Sequence, residues 1–182
     1  MLSQFQEVGR ALFAQGLISF QSGNLSLRQG DRMLITHRCS ALGSICKPDL
    51  VETGIVKNSR ATPFASSELS VHRCIYRNTS ALAIVHAHPP CAVALSLMER
   101  EILPRDMEGR SLVPRVLVLG EEVMTEARRL REEIAQALKQ DRVVLVKGHG
   151  SFATGQLLEE AYYYTTVLEQ SCRLIFLLKA LR

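Results

Sequence analysis

The 182-residue chain has no tryptophan, and Phe and Tyr make up only 5% of it. A platform for stacking nucleobases therefore has little to be built from. The formal charge of +4 is mild, and Arg105, Arg110, Arg115, Arg128, Arg129 and Arg131 are scattered rather than gathered into one run. No nucleic-acid partner is expected. No apolar run approaches the roughly 20 residues that span a bilayer, so no membrane partner is expected either. The five cysteines, Cys39, Cys46, Cys74, Cys91 and Cys172, are odd in number and include no CxxC pair. That speaks against a disulfide framework and for a reducing compartment. The segment from Met1 to Glu7 lacks the basic start and apolar core of a secretory signal, and the expected location is the cytoplasm. No repeat, low-complexity tract or linker-like stretch divides the chain, so a single domain over residues 1–182 is expected. With 47% hydrophobic and 22% charged residues, it is ordinary globular material with enough apolar side chains for a core.

Local patterns place most of the elements. Phe5, Val8, Leu12 and Phe13 recur at helical spacing, and Gly16 is a suitable left-handed stop. The alternation from Gly23 to Arg28, a turn at Gly30-Asp31 and the run Met33 to Thr36 form a hairpin pattern. The segment from His37 to Pro63 reads as irregular, with a short strand near Val51. Ser66-Ser67 can cap a helix running to about Arg77 that carries Leu69, His72, Ile75 and Tyr76 on related faces. A strand from Leu82 to Ala87 follows, and Pro89-Pro90 ends it and opens a short helix to Leu97. Arg115 to Leu119 and Val143 to Val146 read as strands, and Glu121 to Leu138 as a helix. A long helix from about Leu157 to Leu181 presents Leu157, Ala161, Tyr164, Leu168, Cys172, Ile175 and Phe176. Strands interleaved with helices predict α/β layers.

Ala83-Ile84-Val85-His86-Ala87-His88 carries the strongest chemical signal. Residues i and i+2 of a strand share a face, so the two imidazoles would point into one space. His149 follows a second β-type run, between Gly148 and Gly150, which permit close backbone approach to a ligand. Three neutral imidazoles with an open fourth position suit a catalytic divalent metal, whereas structural zinc sites usually close their shell with thiolates. The alternative is a hydrogen-bonded core imidazole beside a solvated one. Glu68 fits either a first-turn acid that favours the helix dipole or a carboxylate near the metal. Ser66 and Ser67 either cap the helix or hold a phosphate, and Asn24 belongs either to a turn or to the same anion site. His37 and His72 read as structural or surface histidines, and Cys91 as a small core residue.

In order, Gly23-Asn24-Leu25-Ser26, Ser66-Ser67-Glu68, His86-Ala87-His88 and His149-Gly150 closely resemble the class II aldolase/adducin family over nearly the whole chain. The resemblance implies an α/β fold: a three-layer domain with a central, mainly antiparallel sheet flanked by helices. It also implies assembly as a homotetramer. It further implies zinc, or another first-row divalent ion, held by His86, His88 and His149. Glu68 would complete the resting shell and act as acid/base, with Asn24, Ser66 and Ser67 at the substrate phosphate. The implied reaction is cleavage of a small ketose 1-phosphate, such as L-fuculose 1-phosphate, to dihydroxyacetone phosphate and an aldehyde through a metal-stabilised enediolate. Pentose-phosphate 4-epimerisation, sugar-phosphate dehydration and a non-catalytic adducin-like scaffold are the alternatives. Two features depart from the family pattern. His37-Arg38-Cys39-Ser40-Ala41-Leu42-Gly43 stands where aldolases carry a Thr-Pro-(Ser/Thr)-Gly phosphate loop, with Arg38 as a charged substitute. The aromatic tail of some aldolases has no counterpart in these residues. Tyr162, Tyr163 and Tyr164 read as core or interface, and Asp106 and Glu108 as an exposed charged loop or a second acid.

Overall fold

A computed structural model describes residues 1–120 and 127–181. Its strands are β1 (Asn24–Gln29), β2 (Arg32–Thr36), β3 (Leu50–Gly54), β4 (Ala83–Ala87), β5 (Glu101–Ile102), β6 (Val116–Leu119), β7 (Val143–Val146) and β8 (Gly150–Gly155). They form one sheet in the order β3-β2-β1-β4-β8-β7-β6-β5. Every described neighbour pair is antiparallel except β6 with β7. Helices α1 (Leu2–Ala14), α3 (Pro90–Ser96) and α6 (Leu158–Ala180) cover one face. Helices α2 (Leu69–Asn78) and α5 (Ala127–Ala137) cover the other, and α4 (Met107–Leu112) packs beside α6. The result is the expected α/β fold of three layers around a mainly antiparallel sheet.

Cover on both faces explains why β4 and β7 are apolar without alternation: every one of their residues is buried, as in sheets sandwiched between helices. The period of two still decides which side each residue serves. Leu25, Leu27, Ala83, Val85 and Ala87 join the core under α1 and α6, whereas Ile84 and Phe152 join the core under α2 and α5. Asn24, Ser26 and His86 therefore point toward α2, where His72 and Tyr76 wait.

Several expectations need correction. Residues 150–155, where the sequence reading placed no strand, form β8 and fill the sheet between β4 and β7. Gly, Ser and Ala are poor strand formers, but pairing on both sides outweighs intrinsic preference. Leu103 to Arg110 is not simply a loop, because α4 begins at Met107 with Asp106 as its cap. Helix α2 begins at Leu69 with Glu68, not Ser66 or Ser67, at its N-cap position. On α6, Leu157 and Phe176 are exposed, and Leu158 and Val167 join the buried face instead. The expected helix from Glu121 to Leu138 is found as α5, and residues 121–126 of that reading lie outside the described residues.

Candidate metal centre and active site

Three chain segments meet at the C-terminal end of β4. His86 is the penultimate residue of β4 and pairs with Asn24 of β1 on one side and Phe152 of β8 on the other. His88 lies just past the strand, its backbone N–H donating to the Leu17 carbonyl at 2.8 Å. His149 sits in the three-residue turn between β7 and β8. That turn is closed by its own N–H bonding to Val146 O at 3.0 Å and by Gly148 N–H bonding to Ser96 Oγ at 2.9 Å. Gly148, with φ of +65°, supplies the left-handed residue this tight connection requires. Together these constraints bring ligand atoms of all three imidazoles within 4.8 Å of one another. No second group of three such donors occurs among the described residues.

Hydrogen bonding sets the state of the central ring. His86 Nδ1 is 2.9 Å from the Ser151 carbonyl, which can only accept, so Nδ1 carries the proton and the Nε2 lone pair faces inward. That Nε2 lies 3.0 Å from His88 Nε2 and 3.1 Å from Glu68 Oε2. Burial, then the neighbouring His88 and His149, hold the His86 pKa well below the ordinary histidine value. Burial and His149 lower that of His88. Neutral rings with converging lone pairs are the donor set a divalent ion needs. His86 is 1% exposed and His149 44% exposed, so the cluster is sealed below and open above.

Glu68 enters from the N-terminus of α2, its Oε1 3.5 Å from His149 Nε2. Burial raises its pKa, opposed by the hydrogen bond from Asn24 and the proximity of His149. A carboxylate shifted upward beside three imidazoles is suited to carrying a proton.

The remaining predicted residues divide. Asn24 reaches Glu68, its Nδ2–H donating to Oε2 at 3.1 Å. Ser66 and Ser67 line a separate cavity of about 390 Å³ with Arg38, Ser70, Arg77 and Arg131, and no carboxylate lines it among the described residues. Backbone pairing of Arg38 N–H with Phe64 O and of Ser66 N–H with Thr36 O joins the altered loop to this cavity. Asp106 accepts from Gly109 N–H and the Ser171 hydroxyl, and Glu108 accepts from Tyr163. Both are engaged around α4.

Two neighbours of the site, Ser151 and Phe152, escape the sequence reading, and a third, His72, is read there only as structural or surface. Ser151 fixes the tautomer of His86, and Phe152 stacks on its ring at 4.3 Å between centroids. Fully buried His72 backs Asn24. The available signal for the first two is Val143 to Val146 followed by a glycine-containing three-residue turn, a hairpin pattern that requires a return strand.

A family model for the Class II Aldolase and Adducin N-terminal domain matches residues 3–176. An L-fuculose phosphate aldolase of Methanocaldococcus jannaschii is 29% identical over 176 residues, covering 96% of this chain and 94% of the relative. A 3-oxo-tetronate 4-phosphate decarboxylase of Pectobacterium atrosepticum is also 29% identical, covering 97% and 84%. The crystal structure of L-fuculose-1-phosphate aldolase from Thermus thermophilus superimposes with a TM-score of 0.91 at 36% identity, covering 98% of this chain and 94% of that one. The chain belongs to the class II aldolase and adducin N-terminal domain family.

Proposed function

We propose that the chain is an aldehyde-lyase that cleaves a small ketose 1-phosphate, of the L-fuculose 1-phosphate kind, to dihydroxyacetone phosphate and an aldehyde. The observation that carries this reading is the Glu68 carboxylate lodged against His86 and His149 of the three convergent imidazoles, one helix N-terminus away from an arginine-lined cavity. A divalent ion, zinc in this reading, held by His86, His88 and His149 would supply Lewis-acid polarisation of the substrate's carbonyl and hydroxyl oxygens. Glu68 takes the proton from the hydroxyl whose carbon becomes the aldehyde and returns it to the carbon left behind. The Ser66 and Ser67 hydroxyls and the Arg38 guanidinium bind the phosphate, the arginine compensating for the family's missing loop.

The same reading treats residues 1–182 as one domain acting in the cytoplasm as a homotetramer. The five unpaired cysteines agree with a reducing compartment. Exposed Leu174, Phe176, Leu177 and Leu181 on the last turns of α6 offer apolar surface for a neighbouring subunit. Among the described residues, no helix is long and apolar enough to cross a membrane.

The deciding assay incubates zinc-loaded protein with dihydroxyacetone phosphate and short aldehydes, and with ketose 1-phosphates in the cleavage direction. Formation of a ketose 1-phosphate that is lost on chelation is the expected result. Failure with every pair in both directions refutes the lyase reading. The decarboxylase relative motivates a parallel test, in which release of carbon dioxide from a 3-oxo acid phosphate without aldol exchange reassigns the reaction.

A further inference from the structure

Behind Glu68 runs a chain of buried hydrogen bonds that no metal or substrate contact explains. Tyr76 Oη and Ser26 Oγ are 2.7 Å apart, and Ser26 Oγ and His72 Nδ1 are also 2.7 Å apart. His72 Nε2 lies 2.6 Å from Asn24 Oδ1, and Asn24 Nδ2 lies 3.1 Å from Glu68 Oε2. Ser26, His72 and Tyr76 are at most 1% exposed and Asn24 is 6% exposed, so water does not compete for these groups.

The donors can be assigned from the Glu68 end. An ionised carboxylate only accepts, so the Asn24 amide presents Nδ2–H to it and turns Oδ1 toward His72. Oδ1 only accepts, so His72 carries its proton on Nε2 and leaves a lone pair on Nδ1. Ser26 O–H donates to that lone pair, and Tyr76 O–H donates to Ser26. Every donor thus points toward Glu68. Burial independently keeps the imidazole neutral, with a pKa lowered to about 3, and burial likewise raises the phenol pKa of Tyr76.

Resting on the lyase reading above, we propose that Asn24 and His72 are positioning residues. The Tyr76–Ser26–His72–Asn24 chain fixes the rotamer of Glu68, so that Oε2 is tied down and Oε1, 3.5 Å from His149 Nε2, is the oxygen that exchanges a proton with substrate. The chain ties β1 to α2, the two elements that carry Asn24 and Glu68, so the carboxylate is held by the core rather than by a loop. Groups that orient a reacting side chain in this way are commonly worth 10- to 100-fold, about the loss expected here.

Kinetics of variants and the tautomer of His72 test the proposal together. His72→Leu removes the donor to Asn24 and is expected to lower kcat about 10- to 100-fold with KM changed by less than about twofold and bound zinc unchanged. His72→Gln, which can still present an N–H to Oδ1, restores most of the rate. In an Asn24→Ala background, His72→Leu costs nothing further in kcat, because its route to Glu68 is gone. An unchanged kcat in His72→Leu, equal losses in the Leu and Gln variants, or additive losses in the double variant overturns the proposal. Nitrogen-15 spectra of histidine-labelled wild type supply an arm that needs neither turnover nor variant folding. His72 should be the Nε2–H tautomer, neutral across the physiological range, and the Nδ1–H tautomer refutes the chain. Wild type without turnover refutes the lyase reading instead, so the two failures are separately visible.

Discussion

Gly150 begins β8 where that strand passes the backbone of β4, and its lack of a side chain is tied to the packing of the candidate metal centre. A methyl group built on Gly150 would overlap the Ala87 carbonyl oxygen and stand 2.7 Å from His88 Cδ2 and 3.1 Å from His86 Cε1. Ordinary carbon–carbon contact begins at about 3.5 Å, so the His88 ring must retreat by ~0.8 Å or the strands must part. Metal–imidazole bonds tolerate errors of only about 0.2 Å, so His88 would leave bonding range. Gly150→Ala is therefore expected to weaken zinc binding at least ~100-fold, equivalent to about 2.7 kcal/mol. The metal-free protein should also lose roughly 1–3 kcal/mol of stability through overpacking. Competition against a chromogenic chelator measures the first quantity, and urea unfolding in the presence of a strong chelator the second. A Gly150→Ala protein that binds zinc within about threefold of wild type refutes the close-approach reasoning, since that is well under 1 kcal/mol.

Glu68→Gln keeps size and should retain zinc while losing turnover by at least ~100-fold; equal turnover, followed by the same aldol assay, removes Glu68 from proton transfer. His88→Ala should lower bound metal, read by elemental analysis after dialysis, and full occupancy would show that the ion is held elsewhere. His72 gives a pH signature. An unfolded chain protonates this ring near 6.5 but the folded one only at about 3, so the unfolded state binds more protons between these values. Its contribution to stability is complete above 6.5 and is lost as pH falls through that window. Acidification from neutrality to about pH 5 should cost wild type about 2 kcal/mol more than His72→Gln, measured by urea unfolding; identical slopes would contradict this. Glu169, buried under α3, accepts from the N–H groups of Cys91 and Ala92 at 3.0 Å each. Glu169→Ala leaves both donors unpaired just past His88 and should destabilise by about 2 kcal/mol, with an unchanged thermal midpoint as the opposing result.

Much of the fold was legible because it rests on local rules. The spacing of Phe5, Val8 and Leu12, the Gly30-Asp31 turn and Pro89-Pro90 each impose a conformation within a few residues. β8 was not legible in that way. Its glycine, serine and alanine are selected by close neighbours on β4, which lie 64 to 72 positions away in sequence, and only its hairpin turn from β7 is local. Helix α2 illustrates a smaller displacement. Ser66 and Ser67 have capping chemistry, yet backbone pairing of Ser66 with Thr36 holds that stretch extended, and the helix starts at Leu69.

For the site, the sequence alone supplied the donors: His86 and His88 at strand spacing, His149 in a glycine turn, and Glu68 at the opening of a helix. Each depends on side-chain type and short-range periodicity, which a linear chain displays. Only the tertiary structure decided how those donors are held. It brought the three imidazoles to one point with Glu68 against two of them, left Asn24 out of the lining of the Ser66 and Ser67 cavity, and aligned His72 behind Asn24. Those outcomes follow from strand register and from which face of the sheet meets α2. Both are set by burial and pairing among residues 44 to 81 positions apart, a separation over which no local pattern acts.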